Sequence, residues 1–190
     1  MPSFLLALFS LLPALGLTAG PSASPKPSVS ASLQNRNNCA ETLVLICYGT
    51  SGGEAQNISI NDIAYAAAYL RSVAEENSDP LWTMPPEAGC SEWTIPIPES
   101  RTLLALAKHV NPRTNSSVTY YDLARTLDGG GADGSALDVA ASLLGACGAN
   151  GGQMGVTVDA DDPAYKTTDY VGSGAKHQDI IIKLVRNPKF

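Results

Sequence analysis

The sequence predicts an α+β fold: an antiparallel sheet with helices on one face, held by two disulfides. Three observations lead there. The strong elements run strand, helix, edge strand, strand, helix, strand. Short β-branched runs alternate with stretches of helical periodicity, the two patterns that separate strands from amphipathic helices. Four cysteines follow an apolar leader, a combination that belongs to an oxidising compartment.

The first strand is expected over residues 42–47, where Leu43, Val44, Leu45 and Ile46 form an apolar run suited to a strand covered on both faces. The paired glycines of Gly49-Thr50-Ser51-Gly52-Gly53 end it. A helix over 60–76 follows, with Ser59 and Asp62 as capping candidates and Ile60, Ile63, Ala64, Ala67, Leu70 and Ala74 on one apolar face. Residues 79–87 read as a proline-punctuated loop in which Trp82 and Met84 close the end of the core.

Over residues 92–98, Trp93, Ile95 and Ile97 alternate with Thr94, Pro96 and Pro98. Two prolines of equal parity remove two N–H donors from the same side, so this is an edge strand with its open side blunted. Residues 102–110 are its hairpin partner after a short turn. Thr119-Tyr120-Tyr121-Asp122 has the form of a capping box opening a short helix that stops at Gly129-Gly130-Gly131. Ser135 and Asp138 open another, with Leu137, Ala140, Leu143, Leu144 and Cys147 as its stripe. A strand is possible over 153–159, an acidic, Gly-containing excursion follows, and residues 179–186 form the last strand. This order is the split βαβ arrangement of a ferredoxin-like sandwich.

The 190-residue chain divides into a signal peptide over 1–19, a Pro/Ser-rich arm over 20–37 and one domain over 38–190. The leader's apolar heart is interrupted by Pro13 and is too short to span a bilayer, so no stable membrane insertion is expected. The net charge of -6, with Lys and Arg totalling 12 and scattered, argues against nucleic acid and against a polybasic membrane anchor. The expected product is a secreted, extracellular monomer. Asn57-Ile58-Ser59 and Asn115-Ser116-Ser117 are N-glycosylation sequons, making Asn57 and Asn115 acceptor candidates.

Four cysteines allow three pairings, and the expected topology selects among them. Cys47 ends the first strand and Cys147 ends the last helix, at one pole. Cys39 and Cys90 precede the first and second strands, at the other. The expected bridges are Cys39–Cys90 and Cys47–Cys147.

No residue pattern commands a reaction. His109 and His177 are the two histidines; neither neighbours a nucleophile-elbow pattern, and both read as surface or cap residues. Asp159-Ala160-Asp161-Asp162 could gather calcium with loop carbonyls, but it lacks the glycine and terminal glutamate of an EF-hand and reads as a solvated acidic turn. The loop from Gly49 to Gly53 lacks the lysine of a phosphate-binding loop. Glu87, Glu92 and Glu99 raise a glycosidase carboxylate pair, for which an aromatic content of 6% offers little cleft. Neither cofactor nor metal is expected.

A secretory leader, a Pro/Ser-rich arm and a cysteine-paired βαββαβ core resemble the fungal secreted proteins built on the virally encoded smut killer-toxin fold. Pro80-Leu81-Trp82-Thr83-Met84-Pro85-Pro86-Glu87, Ala105-Leu106-Ala107-Lys108-His109-Val110-Asn111-Pro112 and Gly148-Ala149-Asn150-Gly151-Gly152-Gln153 are similar to small secreted proteins of filamentous plant-associated fungi. The resemblance runs from Asn38 to the C-terminus. The helix over 119–127 and the excursion over 159–176 extend beyond the minimal toxin core. It implies a secreted effector or toxin-like protein that binds a host protein or cell-wall glycan without catalysis. Tyr48, Trp82, Tyr165 and Tyr170 are its contact candidates if exposed, since aromatics dominate interface energetics. The alternative is a secreted hydrolase or metal-dependent enzyme using the acidic loop near Asp159–Asp162.

Overall fold

The structure, a computed structural model, describes residues 38–190; the expected leader and arm lie outside the described residues. The elements are β1 (Ile46–Cys47), α1 (Ile60–Glu76), β2 (Leu81–Met84), β3 (Trp93–Thr94), β4 (Leu103–His109), β5 (Ser116–Thr119) and α2 (Tyr120–Asp128). They continue with α3 (Ala136–Ala141), α4 (Leu143–Cys147), β6 (Gly152–Gly155), α5 (Thr168–Ser173) and β7 (Ile180–Arg186).

The class is α+β and the main sheet is antiparallel throughout, in the order β1-β6-β7-β4-β3. The ferredoxin-like arrangement is not confirmed. The sheet has five strands, and β6 lies between the first and last strands. Glycine makes this insertion possible: a Cβ on Gly152 would sit 2.5 Å from the Ile46 carbonyl oxygen and 2.9 Å from Cys147 Sγ. Strand β3 lies at the sheet edge and pairs with β4 as expected, but it is shorter than the expected 92–98: only Trp93–Thr94 form the ladder, and Pro96 and Pro98 lie beyond its end.

The first strand needs correction. Only Ile46 and Cys47 pair, at the opposite edge, and Leu43 and Val44 are 49% and 67% exposed. An apolar β-branched run is equally compatible with an edge, where one side has no neighbour. Residues 81–84 are also not a loop: β2 pairs with β5 in a separate two-stranded ribbon, with Trp82 and Met84 both buried. The helix expected from Ser135 breaks at Ser142, whose hydroxyl caps α4 by accepting from Gly145 N. That break leaves Leu137 82% exposed while Leu143 and Cys147 are buried.

Helix α1 has the expected bounds, but its buried face is Ile63, Ala66, Ala67, Leu70 and Ala74, with Ile60 exposed. Ser59 makes no side-chain cap. The Asp62 carboxylate instead accepts from Thr102 N at 2.9 Å and from the Thr102 hydroxyl, tying the start of α1 to the start of β4. Leu123, Ala124 and Leu127 of α2 join the α1 face over Leu103, Ala105 and Ala107 of β4 and Ile180, Ile182 and Leu184 of β7 in one core. Each large aliphatic side chain buried there contributes roughly 1.5–3 kcal/mol.

Both disulfides pair as expected, with Cα–Cα distances of 5.2 Å for Cys39–Cys90 and 5.1 Å for Cys47–Cys147. Cys147 reaches Cys47 for a local reason. The turn Gly148–Asn150 after α4 delivers β6 directly onto β1, with Cys47 opposite Gly152.

Candidate functional site

A groove of about 800 Å³ opens where the β2–β5 ribbon, the C-terminal end of α1 and the segment around α5 meet. One wall is set by local polar geometry. Asp79 Oδ1 accepts from Leu81 N at 3.1 Å, and Pro80 O accepts from Tyr120 N at 2.9 Å, so chain entry into β2 and into α2 is fixed together. Across the ribbon, Thr83 and Ser117 share a 2.8 Å hydroxyl–hydroxyl hydrogen bond. Thr119 caps α2 as the capping box predicts, accepting from Asp122 N at 3.1 Å.

The other wall is the excursion, folded rather than loose. Asp162 accepts from Ala164 N at 2.9 Å to start the turn Pro163–Lys166, and Thr167 accepts from Tyr170 N at 3.2 Å to cap α5. Lys176 N donates to Asn115 O and Ser117 N donates to Lys176 O, both at 2.9 Å, which pins the excursion along β5.

Behind the groove a buried polar anchor holds the two walls together. Asp122 is 1% exposed and accepts from the Tyr165 hydroxyl at 2.5 Å and from Asp159 N at 3.0 Å. The same Tyr165 oxygen accepts from Thr119 N at 2.8 Å. Burial pushes the Asp122 carboxyl up from its ordinary range, against the hydrogen bonds from Tyr165 and Asp159 N and the charge of Arg125. Burial, then the bond to Asp122, pushes the Tyr165 phenol up as well. Tyr170 packs at a ring distance of 5.1 Å from Tyr165 and donates to Ser117 O at 3.2 Å.

The groove lining sets its chemistry. Asp79, Asp162 and Asp169 supply carboxylates, Asn77 and Asn115 amides, and Thr83, Ser117 and Thr167 hydroxyls; Tyr121, 37% exposed, offers a ring. No Lys, Arg or His is among the lining residues. Such a surface accepts hydrogen bonds from a polyhydroxylated or cationic group and repels anions.

The contact candidates fall differently. Trp82, Tyr165 and Tyr170 are 8%, 6% and 6% exposed, so their aromatic area is spent inside the protein. Tyr48 is half-buried, its hydroxyl donating to Gln153 Oε1 at 3.3 Å. None presents the exposed ring that a contact role requires. Tyr121 does, and sequence reasoning placed it only on a helix. Its neighbour Asp122 was visible as the fourth residue of the capping box, without any sign that its carboxylate is buried.

His109 is not a surface residue. It is fully buried, with Nδ1 3.1 Å from Gly89 O and Nε2 3.0 Å from Met84 O, linking β4 to the chain before Cys90. The His177 ring packs 4.7 Å from that of Tyr165, and its buried Nδ1 has no hydrogen-bond partner among the described residues. In the glycine loop, Gly49 N donates to Gly52 O and Gly53 O, and Thr50 N and Ser51 N donate to Cys47 O, so these amides face their own loop. Glu92 accepts from Lys183 at 2.8 Å. Among the described residues, no three His, Cys, Asp or Glu side chains are grouped to hold a metal ion. No helix there is long and apolar enough to cross a membrane.

A second polar cluster lies across the sheet. Glu41 accepts from Lys108 at 2.7 Å, Lys183 at 2.8 Å and Gln153 at 3.0 Å. Burial alone would raise its carboxyl, but these bonds override it and hold the pKa at about 2. This cluster fastens the segment after Cys39 to β4, β6 and β7.

Searches against protein-family models, curated proteins and solved structures each found no match.

Proposed function

We propose that this chain is a secreted, effector- or toxin-like protein of a plant-associated fungus that acts by binding at the host or cell-wall interface, not by catalysis. The observation that carries the reading is the groove. Its walls are fixed by a buried anchor, and its lining offers many hydrogen-bond acceptors and one exposed ring, which is the chemistry of recognition. The resemblance to secreted killer-toxin-fold proteins supports the reading only through the disulfide-paired α+β core, since the βαββαβ arrangement it implied is not confirmed.

No observation favours the rival acidic-loop enzyme. Asp161 is almost fully exposed and paired with Lys166, Asp162 caps a turn through one carboxylate oxygen, and Asp159 faces Arg125 at 3.6 Å.

The reading is tested by infiltrating leaves with unglycosylated protein made in an oxidising bacterial compartment, intact or reduced and alkylated. Ion leakage, or retention on isolated leaf cell walls, that disappears on reduction is the expected outcome. Neither effect from the intact protein, across several hosts, would refute it.

A further inference from the structure

Asn115 stands on the wall of the groove and opens the sequon Asn115-Ser116-Ser117. Its carbonyl is held by Lys176 N at 2.9 Å, which fixes the residue against the excursion. The other sequon differs. Asn57 is exposed, just before α1, and does not line the groove.

The third residue of the sequon sets the timing. Ser117 is 2% exposed and its hydroxyl is bonded to Thr83 across the ribbon. A transferase that reads this hydroxyl in an extended chain has no access to it once β5 has paired, so any modification precedes folding.

We propose that Asn115 carries an N-linked glycan, added before β5 pairs, whose first sugars lie in the groove and cover Tyr121. The donor is a lipid-pyrophosphate-linked oligosaccharide. Its C1–O bond breaks, the bond from Asn115 Nδ2 to C1 forms, the lipid pyrophosphate leaves and the amide gives up one proton. A tethered glycan meets the groove at high effective concentration. Sugar hydroxyls find acceptors there in Asp79, Asp169 and Thr167 and a ring face in Tyr121, and no lysine or arginine competes for those acceptors. The protein then exists as a closed glycoform and, where Asn115 is left unmodified, an open one.

The test uses full-length protein secreted from an N-glycosylating host. Mass spectrometry of the Asn115 peptide reads occupancy; tyrosine iodination is then compared before and after enzymatic glycan removal. Tyr65, 39% exposed on α1, is the internal reference. The expected result is an occupied Asn115 and a several-fold rise in Tyr121 labelling on removal, with Tyr65 unchanged. The Asn115→Gln protein should label at Tyr121 like the deglycosylated one. An unmodified Asn115 in the secreted protein, or Tyr121 labelling indifferent to the glycan, would overturn the proposal. Either failure leaves the binding reading standing, since an unmodified Asn115, or a glycan that leaves Tyr121 uncovered, presents the groove open.

Discussion

Asp122 and Glu41 are two carboxylates whose surroundings drive them in opposite directions, and each organises one side of the molecule. Asp122 is buried against Tyr165, with few compensating charges, and is pushed up; Glu41 sits between two ammonium groups and is held at about 2. Replacing Tyr165 by Phe removes the short bond to Asp122 and an acceptor for Thr119 N, leaving buried polar atoms unpaired. We expect a loss of about 1–3 kcal/mol, read as a lower urea midpoint with unchanged slope. For Glu41 the sign is fixed by its depressed pKa. Its contribution is full above the ordinary value of 4.5 and is lost as pH falls towards 2. Glu41→Gln should therefore destabilise by on the order of 1–3 kcal/mol at neutral pH, and the gap to the unmodified protein should close between pH 4.5 and 2. A gap that persists at pH 2 would show that Glu41 acts through shape alone.

Elements with a complete local pattern were legible in the sequence. Helix α1 announced itself through its apolar spacing, α2 through the capping box at Thr119, and β3 as an edge through the parity of Pro96 and Pro98. The ribbon was not legible. Ser116–Thr119 is short and hydroxyl-rich, and its partner lies more than thirty residues upstream, so only tertiary pairing makes either segment a strand. For the same reason the groove could not be foreseen, since its walls come from segments far apart in sequence. The cysteine pairing was right although the strand order behind it was not, because Cys147 is brought to Cys47 by the adjoining β6. These bridges close spans of 51 and 100 residues. Replacing Cys47 and Cys147 together by alanine should cost about 3–5 kcal/mol in the chain-entropy model, detectable as a fall in thermal midpoint. Replacing Cys39 and Cys90 should cost slightly less, and the reverse ranking would point to strain or to residual structure in the unfolded chain.

At the scale of the whole molecule, the sheet, the core and the two disulfides form a frame, and the β2–β5 ribbon with the excursion builds on it the groove that we propose as the recognition surface. The central claim is that this groove is where the protein binds. The most direct measurement is retention of the unglycosylated protein on isolated leaf cell walls, comparing the Tyr121→Ala and Asp169→Asn variants with the control Tyr65→Ala. All three positions are exposed, so each variant should keep its fold, which unfolding curves would verify. The expected result is that both groove variants are released at lower salt or lost from the wall fraction while Tyr65→Ala is retained like the parent. Equal retention of all three would contradict the claim and move the binding surface elsewhere.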